Sequence, residues 1–272
     1  MKNIAAFFIS SLLLFSCASE PKKTENISAP APAEELVPDI EYEVLSRIPH
    51  DVSSFTEGFL FRDGKLYEST GSPDDLPGTR SVFGIMDMKT GKIDKKAELD
   101  QKYFGEGIVI LHNKIYQLTY KDQLGFIYDA KTYKKLGEFK FSNEEGWGLT
   151  TDGTSIIMSD GTSTITYLDP GTLKPAKTLA ITNGGYPEDN LNELEFIEGF
   201  IYANVWTKNY VVKIDPATGK VVGIIDFSAL KYEAKDKYKN AEVLNGIAYD
   251  PASKKLYITG KLFPYVYEVR LK

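Results

Sequence analysis

Cysteine and histidine are scarce in this sequence of 272 residues. Cys17 is its one cysteine, and His50 and His112 are its two histidines. Beyond residue 17 the chain therefore has no thiol for a disulfide, a nucleophile or a thiolate metal site. Neither histidine has a second metal ligand at i+2 or i+4, so zinc coordination is not indicated. We expect structural roles for both histidines, and a protein without a metal or a cofactor.

The sequence also lacks an apolar run long enough to span a membrane as a helix. The apolar segment from Ile4 to Phe15 is about a dozen residues long and follows the basic Lys2, which is typical of a signal peptide. The segment Leu14-Phe15-Ser16-Cys17 resembles the lipobox of bacterial lipoproteins. Cleavage before Cys17 and acylation of this residue would anchor the protein to a membrane of the bacterial cell envelope. The alternative is a plain secretory signal with an incidental cysteine.

Aromatic residues are missing from the segment 18–38, which is rich in Ala, Pro, Glu, Ser and Lys. This composition predicts a solvated tether. We therefore divide the chain into a signal peptide over 1–16, a lipid-anchored tether over 17–38 and one folded domain over 39–272. The formal net charge is −6, with charges of both signs interspersed. No basic run coincides with an aromatic face, so nucleic-acid binding is not indicated.

The folded part consists of short alternating apolar segments, such as 114–118 and 255–258, separated by turn signals such as Arg62-Asp63-Gly64. The 17 Tyr and 15 Phe suit such strands. One short helix is expected around Leu230 to Asn240. The pattern predicts an all-β domain.

Five similar motifs recur about 40–50 residues apart, which is the length of one four-stranded propeller blade. They therefore predict a five-bladed β-propeller. About 26 residues follow the last motif, enough for roughly three strands. We expect the N-terminal strand from Ile40 to Ile48 to complete and close the last blade, because an open ring would expose strand edges. The motifs are Phe55-Thr56-Glu57-Gly58, Phe104-Gly105-Glu106-Gly107, Glu145-Gly146-Trp147-Gly148, Leu191-Asn192-Glu193-Leu194 and Leu244-Asn245-Gly246-Ile247.

The innermost strands of a propeller begin on one face of the ring, so the five motifs would bring their polar and aromatic residues together. Crowding of backbones around the channel explains the glycines. It does not explain a carboxyl such as Glu106 beside Phe104 and Tyr120, where burial would raise its pKa and suit it for proton transfer. Lys261 ends a strand nearby; it could pair with Glu106 or stabilise developing negative charge.

Together with three further segments, these motifs resemble the signature series of the plant-type glutaminyl cyclotransferases, in order from residue 55 to 261. The further segments are Tyr67-Glu68-Ser69-Thr70-Gly71, Ala203-Asn204-Val205-Trp206 and Thr259-Gly260-Lys261. The resemblance implies a metal-independent five-bladed enzyme that closes the N-terminal Gln of a peptide or protein into pyroglutamate and releases ammonia. We expect the protein to be a monomer. It places the catalytic carboxylate at Glu106 and the pocket residues at Phe55, Phe104, Trp147, Asn192, Trp206 and Lys261.

Two positions depart from the family pattern. Glu57 stands where Gln is common, and Tyr120 stands where Trp is usual. Both are expected in the substrate pocket. Tyr120 keeps an aromatic wall, whereas a second carboxyl beside Glu106 would raise one of the two pKa values and alter activity or substrate preference.

The reaction requires a neutral α-amine and a protonated leaving nitrogen, and one carboxyl can serve both steps in turn. We assign Glu106 as this general base and acid. Lys261 and Asn192 are expected to stabilise the γ-carbonyl oxygen as it gains charge. The rings of Trp147, Trp206 and Phe104 would hold the glutamine side chain curled for ring closure.

Three other functions remain open from the residues alone. A lactonase-like hydrolase would hold a divalent metal through Glu106, Asn192 and Asn245, and chelators would abolish its activity. A non-catalytic envelope propeller would bind a peptide or glycan without releasing ammonia. A structural scaffold of an outer-membrane assembly would leave the aromatic mouth unused.

The lipobox pattern makes a prediction about fractionation. Substituting Cys17→Ser removes the acylated thiol, so the protein should leave the membrane fraction and appear in a soluble or an uncleaved form. Immunoblots of membrane and soluble fractions measure this. Unchanged membrane association of the variant would contradict lipidation at Cys17.

Overall fold

Residues 36–272, which the computed structural model describes, form 22 strands and one helix. Twenty of the strands lie in five four-stranded sheets, and the other two form a short hairpin. The expected acylation site at Cys17, the signal peptide and most of the tether lie outside the described residues. Within 36–272, no helix is long and apolar enough to cross a membrane.

The first four complete sheets each use consecutive strands of the chain, and strand β1 (Tyr42–Pro49) precedes them. Blade one contains β2 (Phe55–Arg62), β3 (Lys65–Gly71), β4 (Val82–Met86) and β5 (Ile93–Glu98). Blade two contains β6 (Gly105–Leu111), β7 (Lys114–Thr119), β8 (Leu124–Asp129) and β9 (Lys135–Lys140). Blade three contains β10 (Leu149–Thr151), β11 (Ile156–Met158), β12 (Thr164–Leu168) and β13 (Pro175–Ala180).

A hairpin and a helix flank the fourth blade. The hairpin consists of β14 (Thr182–Asn183) and β15 (Tyr186–Pro187), and blade four contains β16 (Leu191–Ile197), β17 (Phe200–Val205), β18 (Tyr210–Ile214) and β19 (Val221–Asp226). The helix α1 (Ser228–Lys237) buries Leu230 and Ala234, one turn apart on one face. Blade five contains β20 (Leu244–Asp250), β21 (Lys255–Gly260) and β22 (Tyr265–Leu271).

The apolar core lies between the blades. Its buried residues fall into five clusters, each shared by two neighbouring blades. The inner strands β2, β6 and β20 are buried along almost their whole length, whereas the outer strands β5 and β13 are largely exposed. This gradient explains why the inner strands are apolar beyond their first residues. The prediction of a five-bladed β-propeller with one short helix is confirmed.

The ring is closed by β1, as the strand count predicted. It pairs antiparallel with β22, from Tyr42 opposite Leu271 to Pro49 opposite Tyr265, and so completes blade five. The next strand along the chain, β2, is the inner strand of blade one. The first and last blades are therefore joined by the same stretch of chain.

His50, which directly follows β1, ties this junction together. Its Nδ1 lies 2.8 Å from the carbonyl oxygen of Phe263 in blade five, and its Nε2 lies 3.0 Å from Oε1 of Glu68 in blade one. Because both partners are acceptors, the doubly protonated ring satisfies both contacts. Burial alone would lower the pKa of His50, but the Glu68 carboxylate outweighs it and the pKa is raised. The expected structural role is confirmed for His50 but not for His112, which lies exposed in a turn at φ 49°.

The junction predicts a large stability loss for His50→Ala. Removing one partner of a buried ion pair leaves the other uncompensated, so the free energy of unfolding should fall by about 3–5 kcal/mol. Urea denaturation measures the loss. His112→Asn, which suits the left-handed turn, is the control and should change stability by less than about 0.5 kcal/mol. Equal stability of the two variants would contradict the role of His50 in closure.

Candidate active site

Four of the five inner strands carry a β-bulge near their starts. The pairing register shifts between Thr56 and Gly58, between Gly105 and Ile108, between Leu191 and Leu194, and between Leu244 and Ile247. A bulge re-aims the side chains of the residues it contains. The residues inside these four bulges include Glu57, Glu106, Asn192 and Asn245.

Blade three contributes through the residues just before β10. The Gly107 amide donates to the Trp147 carbonyl oxygen at 2.7 Å, and the Trp147 amide donates to the carbonyl oxygen of Ser159 at 3.1 Å. Neighbouring backbones approach so closely here that a Cβ on Gly107 would lie 2.5 Å from that carbonyl oxygen, and one on Gly148 would lie 2.2 Å from the carbonyl oxygen of Asn192. Backbone crowding thus accounts for the glycines beside the functional residues, as expected.

Polar residues on the second strand of a blade, or directly after it, bond to the backbone of the neighbouring blade's bulge. The Ser69 hydroxyl donates to the Glu106 carbonyl oxygen at 2.5 Å and accepts from Nε2 of Gln117 at 3.0 Å. In the same way the Ser159 hydroxyl donates to the Asn192 carbonyl oxygen at 2.7 Å. These bonds satisfy backbone groups that the bulges remove from strand pairing.

The starts of the inner strands surround a cavity of about 330 Å³. Every propeller residue that the sequence analysis assigned to the site lines it: Phe55, Glu57, Phe104, Glu106, Tyr120, Trp147, Asn192, Trp206 and Lys261. Asn245, in the fifth motif, does not. It is fully buried beside the cavity, where its Nδ2 donates to the Thr56 carbonyl oxygen at 2.9 Å and to Oε2 of Glu57 at 3.2 Å.

A buried ion pair forms one side of the cavity. Nζ of Lys261 lies 2.7 Å from Oε1 of Glu57, and both side chains are almost inaccessible to solvent. The same ammonium lies 4.6 Å from the centre of the Phe55 ring, where a cation–π interaction adds to its stabilisation. Of the two roles considered for Lys261, pairing with Glu106 is thus replaced by pairing with Glu57.

Glu106 is the second carboxyl in the cavity. Its side chain is buried, and Oε2 has no hydrogen-bond partner among the described residues. Burial and the neighbouring Glu57 raise the pKa of Glu106 well above its usual value, against the opposing effect of Lys261. Burial also raises the pKa of Glu57 to about 7, again opposed by Lys261. Both carboxyls therefore hold a proton more tightly than a solvent-exposed glutamate does.

Aromatic rings form the remaining walls. Phe104 lies between Phe55 and Tyr120, with ring centroids 6.1 and 5.8 Å apart. On the other side Trp147 and Trp206 meet edge to face at 5.8 Å, and Trp206 is 41% exposed. The cavity is thus an aromatic slot in which two carboxyls and one ammonium are buried.

Three lining residues were not predicted, namely Pro73, Glu242 and Val243. Glu242 and Val243 directly precede the fifth motif, and their position was the only signal for them. Among residues 36–272, no group of three or more His, Cys, Asp or Glu side chains is arranged to hold a metal ion. Asn245 does not line the cavity, so the Glu106, Asn192 and Asn245 set of a lactonase-like site is not assembled there.

Comparison with known proteins agrees with the geometry. The family model described as glutamine cyclotransferase matches residues 9–271. A glutaminyl-peptide cyclotransferase of Arabidopsis thaliana is 38% identical over 234 residues, which are 85% of this chain and 72% of that protein. The crystal structure of Myxococcus xanthus glutaminyl cyclase superposes with a TM-score of 0.78 at 32% identity, covering 87% of this chain and 99% of that chain. The chain therefore belongs to the glutamine cyclotransferase family.

Proposed function

We propose that the chain is a glutaminyl-peptide cyclotransferase, which converts the N-terminal glutamine of a peptide or protein into pyroglutamate and releases ammonia. Family membership supports the reaction class. The observation that carries the assignment to this cavity is the buried Glu106 carboxyl, whose Oε2 has no hydrogen-bond partner among residues 36–272 and which lines the aromatic slot.

Glu106 acts as both base and acid in this reaction. The lone pair of the substrate's neutral α-amine attacks the γ-carbonyl carbon of the same residue, and the Glu106 carboxylate takes a proton from that nitrogen as the bond forms. The new C–N bond gives a tetrahedral intermediate. Glu106 returns the proton to the amide nitrogen, the old C–N bond breaks, and ammonia leaves. A raised pKa suits these two transfers, because a carboxyl of ordinary acidity would be a poorer base near neutral pH.

In this proposal Lys261 and Asn192 stabilise the oxygen of the intermediate as it gains negative charge. The ammonium of Lys261 carries three protons and uses one on Glu57, so others can face the cavity. Asn192 lines the same cavity from the neighbouring blade four. One well-placed donor of this kind contributes about 3 kcal/mol to stabilisation of the transition state.

The aromatic walls supply orientation. Phe104, Trp147 and Trp206 enclose the slot, and a glutamine side chain within it has to curl back toward its own amine. Binding in the slot holds the amine nitrogen close to the carbonyl carbon. The entropic cost of bringing these two atoms together is then met on binding and not in the transition state. The lipid anchor at Cys17 and a monomeric state complete the proposal: a membrane-tethered enzyme of the cell envelope acting on exported peptides or proteins.

The assignment of Glu106 predicts a large loss of activity in Glu106→Gln. The amide keeps the shape of the side chain but cannot carry the proton, so turnover should fall by about 10²–10⁴-fold while the fold is preserved. Ammonia release from a Gln-initiated peptide measures turnover. Glu57→Gln is the matched control and should cost far less, because Gln is common at that position in the family. Greater damage from Glu57→Gln would contradict the assignment.

Glu57→Gln should also shift the pH profile of kcat/KM. After burial, the charge on Glu57 is the main cause of the raised pKa of Glu106. Removing it lowers the pKa of Glu106, so the basic form is present at lower pH and the acidic limb of the profile moves toward acid. Rates measured across the pH range with one peptide test this shift. An acidic limb that moves toward alkaline pH would contradict the coupling of the two carboxyls.

A further inference from the structure

Glu145 lies outside the cavity and contacts Trp147, which forms part of the cavity wall. Its Oε2 accepts a hydrogen bond from the indole Nε1 of Trp147 at 2.8 Å, two residues further along the chain. Its Oε1 lies 3.4 Å from Nζ of Lys121, and its side chain is only 27% exposed. Both carboxyl oxygens are therefore used, one on the indole and one on a lysine at the rim.

Lys121 connects this contact to the neighbouring blade two. Its ammonium lies 4.5 Å from the centre of the Tyr120 ring, which is a wall of the same cavity contributed by blade two. The Gly146 amide also donates to the Tyr120 carbonyl oxygen at 2.8 Å. Side chains and backbone together thus tie the Tyr120 wall to the Trp147 wall.

Hydrogen bonds hold both the N–H and the carbonyl group of Trp147, so the side-chain torsions are the remaining conformational freedom of this residue. One edge of the indole lies against Gly161, where an added Cβ would be 2.6 Å from Cζ2. The other neighbour is the half-exposed Trp206. An indole has a single polar group, its N–H donor, and the bond to Glu145 is the polar contact that selects one ring orientation.

We propose that Glu145 is a positioning residue, which fixes the indole of Trp147 as the wall against which the substrate glutamine packs, with Lys121 holding Glu145 in place. The proposal rests on the cyclotransferase function proposed above. Hydrogen bonds to a charged acceptor are stronger than neutral ones, and preorganised contacts spare the substrate the cost of ordering the wall.

Substitutions at Glu145 separate the hydrogen bond from the charge. Glu145→Ala removes the acceptor, and kcat/KM should fall by about 10-fold or more. Glu145→Gln keeps an acceptor oxygen and should recover most of that loss. Glu144→Ala alters an exposed neighbour and is the matched control, with kcat/KM unchanged. Each variant is compared at its own pH optimum, because after burial and Glu57 the charge of Glu145 also raises the pKa of Glu106.

Tryptophan fluorescence reports on the environment and mobility of the Trp147 indole without any substrate. The chain has two tryptophans, Trp147 and Trp206, so Trp206→Phe leaves Trp147 as the only indole emitter. In that background Glu145→Ala should shift the emission to the red and speed its depolarisation, whereas Glu145→Gln should match the parent. A chain without cyclase activity would refute the proposed function, yet this measurement would still decide the positioning role.

Lys121→Met provides a second variant, because it keeps the aliphatic stem over Tyr120 and removes the charge. It should lower kcat/KM by about twofold to fivefold, the loss expected for a partly exposed ion pair. Unchanged emission and kcat/KM in Glu145→Ala would overturn the proposal. A loss of kcat/KM in Glu145→Gln equal to that in Glu145→Ala would also overturn it, because the charge of Glu145 rather than its hydrogen bond would then be responsible.

Discussion

The buried ammonium of Lys261 is the charge on which the site depends. Two carboxyls, Glu57 and Glu106, are buried in one cavity, and a single ammonium compensates them. Without that cation, burial and mutual repulsion would favour protonation of both carboxyls, and neither could act as a base near neutral pH. With the cation, one negative charge can persist in the pair. The chemistry assigned to Glu106 therefore depends on a lysine that it does not itself bond.

The contact of Lys261 with Glu57 depends on closure of the ring. Glu57 lies in blade one and Lys261 follows the second strand of blade five, so their contact crosses the junction between the first and last blades. The pairing of β1 with β22 and the contacts of His50 hold that junction together. Asn245 adds a bond from blade five to the backbone of blade one. Closure of the ring and the electrostatics of the site therefore depend on the same contacts. A loosened junction between blades one and five should affect activity before the other blades unfold.

Repeats and spacing predicted most of the architecture. The five motifs located the inner strands, and the short C-terminal remainder predicted the closing role of β1, because both depend only on the number and order of strands. The cavity residues followed from the same symmetry together with the family resemblance. The partner of Lys261 could not be predicted in this way. A strand pattern places Lys261 near both carboxyls, but the bulge at Glu57, which depends on pairing with β3, determines which carboxyl it meets.

Glu145 was overlooked for a related reason. It stands in the third motif beside Trp147, but the motif does not reveal which way the carboxyl points, and its partner Lys121 comes from another blade. Contacts between blades require side-chain orientations that periodicity does not encode. Pro73 and Glu242 were not predicted either, because they lie in connections between strands.

The proposed role of Glu106 requires that its carboxyl remain a titratable acid and base in the pH range where the enzyme works. Carbon-13 NMR of the glutamate side-chain carboxyls, with Glu106 assigned by its disappearance in Glu106→Gln, measures this titration directly. We predict a midpoint well above the usual carboxyl value, because burial and Glu57 raise the pKa of Glu106. Titration of the Glu106 carboxyl at or below the ordinary value would contradict its role in both proton transfers.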